Sequence, residues 1–218
     1  MNNQEIFWEQ KDTVQKFSNL PVPSYWEKFF FKIDNKEHHH ILDMGCGGGR
    51  NTLMLLKMGF KVSACDLHKN MIEETLRKLK SNGINQNNYS VNHSNMLHLS
   101  YKDNSFDYIL ANGVMHNVSS KDEFNNVVRE AKRVLKLNGK LCLNMFTSRT
   151  IDKQLKKTNR QEIYVTREGL DLLLIPTDDI LSILSQEGFK LVDRVSEYDR
   201  QLDVGVRSVV RGVFSLIK

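Results

Sequence analysis

The chain has 218 residues, 40% of them hydrophobic and 26% charged, enough for one core that needs neither disulfides nor a metal to close. Its net charge of +5 contains no run of five or six like charges, so the surface reads as mixed and solvated rather than as a stripe for nucleic acid. No stretch of about 18 apolar residues and no apolar leader segment occur, and the three cysteines (Cys46, Cys65, Cys142) form no C-x-x-C pair. A cytoplasmic chain with no membrane partner, buried free thiols and no metal site is therefore expected.

The first 38 residues are rich in aromatics: Phe7, Trp8, Phe17, Tyr25, Trp26, Phe29, Phe30 and Phe31. His38, His39 and His40 are consecutive, a spacing that seldom converges on one ion, so they read as loop residues before a strand. Alternation begins there. Residues 40–44 form an apolar strand, and residues 51–58 a helix stopped by Gly59. Residues 60–66 form a second strand. Residues 69–80 have helical spacing at Met71, Ile72, Leu76 and Leu79.

A weak strand is expected at 89–94 and a stronger one at 106–111. Ser120 and Glu123 have the spacing of a capping box. The stripe Phe124, Val127, Val128, Ala131, Val134 and Leu135 follows, which predicts an amphipathic helix. Residues 140–146 form a fifth strand. Residues 147–176 read as irregular and polar. Thr177 is placed to cap a helix over 178–187. Residues 189–196 and 204–217 read as two strands joined too closely for a crossover, hence antiparallel. The pattern predicts one α/β domain with a mostly parallel sheet covered on both faces.

The densest chemistry lies in Ile41-Leu42-Asp43-Met44-Gly45-Cys46-Gly47-Gly48-Gly49-Arg50-Asn51-Thr52. Here a strand ends, glycines turn tightly, and a helix starts, the arrangement that lets a ligand approach the main chain. Asp66 ends the next strand about 20 residues on, where an acid can take ribose hydroxyls. The dinucleotide fingerprint requires a third glycine where Arg50 stands, and the phosphate-loop ending Gly-Lys-Ser/Thr is missing. Both alternatives are disfavoured.

Asp43-x-Gly45-x-Gly47-x-Gly49 resembles the first motif of class I S-adenosylmethionine-dependent methyltransferases. The resemblance continues in order through Asp66, Ser94-Asn95-Met96, Ser105-Phe106-Asp107-Tyr108-Ile109, Ala111-Asn112 and Arg133-Val134-Leu135-Lys136-Leu137-Asn138-Gly139-Lys140. It covers roughly residues 40–146 and is nearest the type 11, ubiquinone-biosynthesis-like group. The run Gly47 to Asn51 is also similar to tellurite-resistance methyltransferases. Asn95 stands where the family has an acid, and the turn at 137–139 lacks the usual proline.

The resemblance implies a Rossmann-like, doubly wound, seven-stranded sheet with a C-terminal antiparallel hairpin. Residues 39–218 would be the methyltransferase domain, and residues 1–38 a helical lid. S-adenosylmethionine is the implied cofactor. Backbone of Gly45 and Gly47, with Cys46 between them, would face its methionine part. Asp43 would support the loop, Asp66 take the ribose, and Leu67 pack on the adenine. Asn95 and the Met96 amide would read the adenine edge, with Asn112 under the methionine.

His116 follows the fourth strand and is the candidate general base, its other role being to line the cleft. Tyr25 and Trp26 are the candidate contacts to acceptor or cofactor, with packing against the sheet as the competing role. The implied partner is a small-molecule methyl acceptor. Methylation of a modified tRNA base and non-catalytic cofactor binding stay open as alternatives, as do monomer and homodimer.

Overall fold

The structure, a computed structural model, describes residues 3–203 and 205–217. Three short helices, α1 (Asn3–Glu9), α2 (Lys11–Ser18) and α3 (Ser24–Phe31), precede β1 (His40–Met44), α4 (Arg50–Lys57) and β2 (Lys61–Asp66). Next come α5 (Lys69–Ser81), β3 (Tyr89–His93), β4 (Phe106–Asn112), α6 (Lys121–Val134) and β5 (Leu135–Phe146). Three brief strands, β6 (Lys156–Lys157), β7 (Ile163–Val165) and β8 (Asp171–Leu173), precede α7 (Thr177–Gln186). The chain then runs through β9 (Phe189–Leu191), β10 (Ser196–Leu202) and β11 (Gly205–Leu216).

The main sheet runs β3-β2-β1-β4-β5-β11-β10, with β9 also on β11. β1 to β5 are parallel, and β11 lies antiparallel to β5. β9 and β10 share one edge of β11, Leu191 opposite Phe214 and Ser196 opposite Arg211. They are one interrupted strand, so the sheet has the expected seven positions closed by an antiparallel hairpin. The hairpin is longer than expected, since β10 runs to Leu202. Its second strand is expected from residue 204, which lies outside the described residues.

The two faces are covered by different helices. Leu42, Ile109, Leu141, Leu143 and Met145 pack with Phe124, Val127, Val128, Ala131 and Val134 of α6 and with α7. Ile41, Val62, Leu110 and Cys142 pack with α4 and with Trp26 and Phe30 of α3. The α6 stripe is wholly buried, and the helix begins as its sequence predicts. Ser120 accepts from the Glu123 amide at 3.1 Å. Glu123 returns a carboxylate to the Ser119 amide at 2.7 Å, one residue before the expected partner.

Four local expectations change. Leu76 is 40% exposed and Thr75 takes its place on the buried side of α5. Thr177 is inside α7, behind Pro176, and its hydroxyl goes to Glu197 at 2.7 Å instead of capping. β5 starts at Leu135 and carries a register shift against β4, with Asn138 at φ 66°. Residues 147–176 are not irregular, because β6, β7 and β8 form a small antiparallel sheet. Its apolar contribution is Leu172 to Ile175, all buried. Strands of two or three residues are too short to show a period of two, which hides them in sequence.

Removing the α6 cap with Ser120→Ala is expected to cost about 1 kcal/mol. Phe124→Ala, which empties a fully buried site, is expected to cost about 3–5 kcal/mol. Urea titration monitored by circular dichroism checks both, and equal effects would mean that the cap and the core residue are misassigned.

Candidate functional site

The site grows from the C-terminal end of β1. Gly45 has φ 70° and Gly47 φ 54°, values open to glycine at little cost. A Cβ on Gly45 would also lie 2.4 Å from the Val114 side chain, whereas one on Gly47 would meet nothing within 4 Å. Gly45 is therefore a packing requirement as well as a turn. Gly47 faces open space and leaves its backbone accessible. The loop is tied to β2, since the Gly45 and Cys46 amides both donate to the Cys65 carbonyl at 2.9 Å. Thr75 of α5 donates to the Gly47 carbonyl at 2.7 Å.

Two carboxylates bracket this loop. Asp66 accepts from the Gly47 amide at 2.9 Å with one oxygen and from the His68 amide at 3.0 Å with the other. Burial pushes its pKa up while these amides pull it down. Asp43 is buried. One of its oxygens accepts from Thr52 at 2.6 Å, and the other, Oδ1, has no partner. Burial raises its pKa to about 6 against the opposing effects of Thr52 and Arg50. A buried carboxylate oxygen without a donor calls for a ligand group that supplies one.

The remaining expected contacts lie around this pair. Leu67 is 48% exposed beside Asp66, a free apolar side chain at the loop. Met96 is half-buried and packs on the α6-side core. Asn95 follows β3, but its side-chain oxygen accepts from the Leu97 amide at 2.9 Å, closing its own turn. Asn112 ends β4, and its oxygen accepts from the Trp26 indole at 3.1 Å. Arg50 donates to the Pro21 carbonyl at 2.9 Å, so its side chain leaves the sheet for the N-terminal segment.

Two expected roles meet a different geometry. Trp26 is 0% exposed in the α3–α4 core. It orients Asn112 and has no surface left for a ligand. Tyr25, its neighbour, instead stacks on the Arg211 guanidinium at 3.8 Å. His116 is 3% exposed, stacks on Phe146 at 4.2 Å, and accepts the Phe146 amide on Nδ1 at 3.1 Å. Burial and the nearby Arg207 lower its pKa to about 3. A neutral ring that accepts on Nδ1 carries its proton on Nε2, so no lone pair remains for a general base. His116 is a packed neutral donor in this geometry.

Asn51 and Ser94 stand inside the quoted motifs, where sequence assigns neither a role. Both are buried with an unpartnered oxygen. Asn51 lies two residues after Gly49, and the Ser94 amide donates to the Asp66 carbonyl at 2.9 Å. Their place within the two motifs is the signal that could have found them.

The N-terminal helices close one side. Glu9 accepts from the Lys69 and Asn70 amides at 2.8 and 3.0 Å, placing an acid at the positive start of α5. Ser18 packs on Gly48, where a Cβ would come within 2.6 Å of it, and donates to Glu74 at 2.6 Å. Among the described residues no group of three potential ligands could hold a metal, and no helix is long and apolar enough to cross a membrane.

Residues 42–143, spanning the glycine loop through β5, match the family model described as a methyltransferase domain. That stretch of the chain is therefore similar in sequence to methyltransferase domains. The methyltransferase GfsG of Streptomyces halstedii is 28% identical over 165 residues, which is 67% of this chain and 58% of GfsG. The demethylmenaquinone methyltransferase of Bacillus pumilus is 35% identical over 144 residues, 64% of this chain and 59% of that enzyme. This chain thus spans less than two thirds of the length of these curated relatives. The crystal structure of Burkholderia thailandensis 1,6-didemethyltoxoflavin-N1-methyltransferase, with bound 1,6-didemethyltoxoflavin and S-adenosylhomocysteine, superposes with a TM-score of 0.74. It is 16% identical, over 99% of this chain and 87% of its own. This chain shares that enzyme's fold.

The raised pKa of Asp43 has a sign that can be measured. Its folded value of about 6 exceeds the unfolded value of about 3.9, so folding favours the neutral carboxyl. The stability this gives is full below pH about 4 and is lost as pH rises through about 6. The loss amounts to about 3 kcal/mol, and Asp43→Asn abolishes it. The parent should therefore lose stability of that order relative to the variant between pH 4 and 7.5, measured by urea unfolding without ligand. Parallel pH profiles would show that Asp43 is ionised throughout.

Proposed function

We propose that this chain is an S-adenosylmethionine-dependent methyltransferase acting on a small-molecule acceptor. The observation that carries the reading is the buried, donor-less oxygen of Asp43 beside the open backbone of Gly47 and the carboxylate of Asp66. This donor set fits an adenosyl amino acid. Asp43 Oδ1 takes the α-ammonium, and the unused lone pairs of Asp66 take the ribose hydroxyls. Leu67 lies on the adenine with Asn95 and the Met96 amide at its edge. Gly45, Cys46 and Gly47 line the methionine part, and Asn112 lies under it. A pyrophosphate fits poorly, because two carboxylates flank the loop and repel a second anion.

When bound, the cofactor supplies a methyl carbon activated by a sulfonium leaving group. The protein then has to align nucleophile, carbon and sulfur and keep competing water out. Trp26 fixes Asn112, and Glu9 and Ser18 hold the N-terminal helices against α5 and the loop. We assign residues 1–38 the role of a lid over the domain formed by residues 39–218. With the His116 lone pair engaged, no proton is routed through that ring, which suits a nucleophile that arrives already deprotonated. The similarity to methyltransferases of demethylmenaquinone and 1,6-didemethyltoxoflavin supports a small acceptor.

Calorimetry with S-adenosylhomocysteine and with NAD tests the reading. The adenosyl ligand should bind and NAD should not, and Asp66→Ala should weaken binding by about 1.5–3 kcal/mol. NAD binding, or unchanged affinity in a folded Asp66→Ala chain, would overturn it.

A further inference from the structure

Strand register places three polar side chains in one row across the sheet. Asn112 of β4 pairs with Asn144 of β5, which pairs with Arg211 of β11. Registered partners share a face, and adjacent strands are about 4.8 Å apart, so the row spans about 10 Å. One step toward the N-terminal end of β4, the same face is apolar: Leu110, Cys142 and Val213. Asp43 pairs with Leu110, so the polar row begins one step beyond the glycine-loop carboxylate. It leads from the cofactor side of the site across β5 to β11.

Asn144, in the middle of this row, and Arg211, at its far end, keep polar atoms without a hydrogen-bond partner among the described residues. Asn144 is 8% exposed, and its side-chain amide has no hydrogen bond to any described residue. Arg211 has its Nε buried without an acceptor, and its Nη1 reaches the Tyr198 hydroxyl only at 3.4 Å. No carboxylate among the described residues pairs with it. Its guanidinium lies over Tyr25 at 3.8 Å and Tyr198 at 4.9 Å. Two rings therefore fix its plane, and its Nη2 makes no hydrogen bond to any described residue. A half-buried guanidinium held this way is costly unless an acceptor completes it. The Nη end of such a fork can take an oxyanion. One step toward the C-terminal end of β5 on the same face lies Phe146, paired with Val209, an apolar surface beside the charge.

We infer that the methyl acceptor is a small organic anion. Its oxyanion sits on the Nη end of the Arg211 guanidinium, a second polar group on Asn144, and its apolar body against Phe146. This inference rests on the methyltransferase reading above and names the class of acceptor for that same site. It also gives Tyr25 its role, which is to orient Arg211 rather than to grip the acceptor directly.

The test uses the whole chain saturated with S-adenosylhomocysteine and a matched set of probes: benzoate, phenylacetate and salicylate, each with its amide. Ligand-observed NMR titration gives the affinities. The carboxylates should bind about tenfold or more tightly than their amides. Arg211→Lys keeps the charge but loses the fork, and Asn144→Ala removes the second contact. Each should weaken carboxylate binding by about tenfold or more while S-adenosylhomocysteine affinity changes little. Equal binding of acids and amides, or carboxylate affinity indifferent to Arg211→Lys, overturns the inference. Failure of the parent chain to bind S-adenosylhomocysteine overturns the cofactor reading instead, so the two are separable.

Discussion

The carboxylate of Asp66 ties the glycine loop to the edge of the next strand. Its two oxygens accept from Gly47 and His68, amides on either side of the cleft, and no other side chain joins these segments so directly. The loop itself has little to hold it, since its glycines lack side chains and three of them, Gly45, Gly47 and Gly49, stand at positive φ. A flexible run of this kind loses much entropy on ordering. Charge-assisted bonds from this carboxylate, with the paired donation to the Cys65 carbonyl, offset that loss. The cradle is thus ordered before any ligand arrives, which is what binding by backbone contact requires.

Electrostatic strain is concentrated in the same place. Asp43 is buried and Asp66 half-buried, and each is shifted upward chiefly by burial. The ionised form is costly there until a positive group arrives, so the site is less stable empty than filled. A zwitterion with an ammonium and a sulfonium relieves that cost, whereas a pyrophosphate adds to it. The N-terminal helices share the arrangement: Glu9 caps α5, Ser18 meets Gly48, and Trp26 orients Asn112. The exposed Lys16–Asp203 pair between α2 and the β10–β11 hairpin adds little energy. The segment is held by packing and caps rather than by that ion pair.

What the sequence made legible was chain-local. A strand end, a turn that demands positive φ and a helix start lie within a dozen residues, so Asp43, Gly45 and Gly47 announce themselves, and the α6 stripe does likewise through its period. The misreadings are non-local. Trp26 looks like a ligand contact until its indole is found on Asn112, 86 positions away. His116 looks like a base until its lone pair is found on the Phe146 amide, 30 positions away. Arg211 is one cation among many in the sequence, and only the register of β4, β5 and β11 lines it up with Asn144 and Asn112. The β6–β8 sheet is invisible because its strands are shorter than the pattern that reveals a strand.

The central claim is that a preordered loop, braced by Asp66 and missing one donor at Asp43, is built for an adenosyl amino acid. A crystal structure of the chain with S-adenosylhomocysteine tests it most directly. The account predicts the ribose diol on Asp66, the α-ammonium on Asp43 Oδ1, and a loop backbone that keeps the Gly47–Asp66 and Cys65 hydrogen bonds. A ligand bound away from residues 43–47, or a loop that must break the Gly47–Asp66 bond to admit it, would contradict the account.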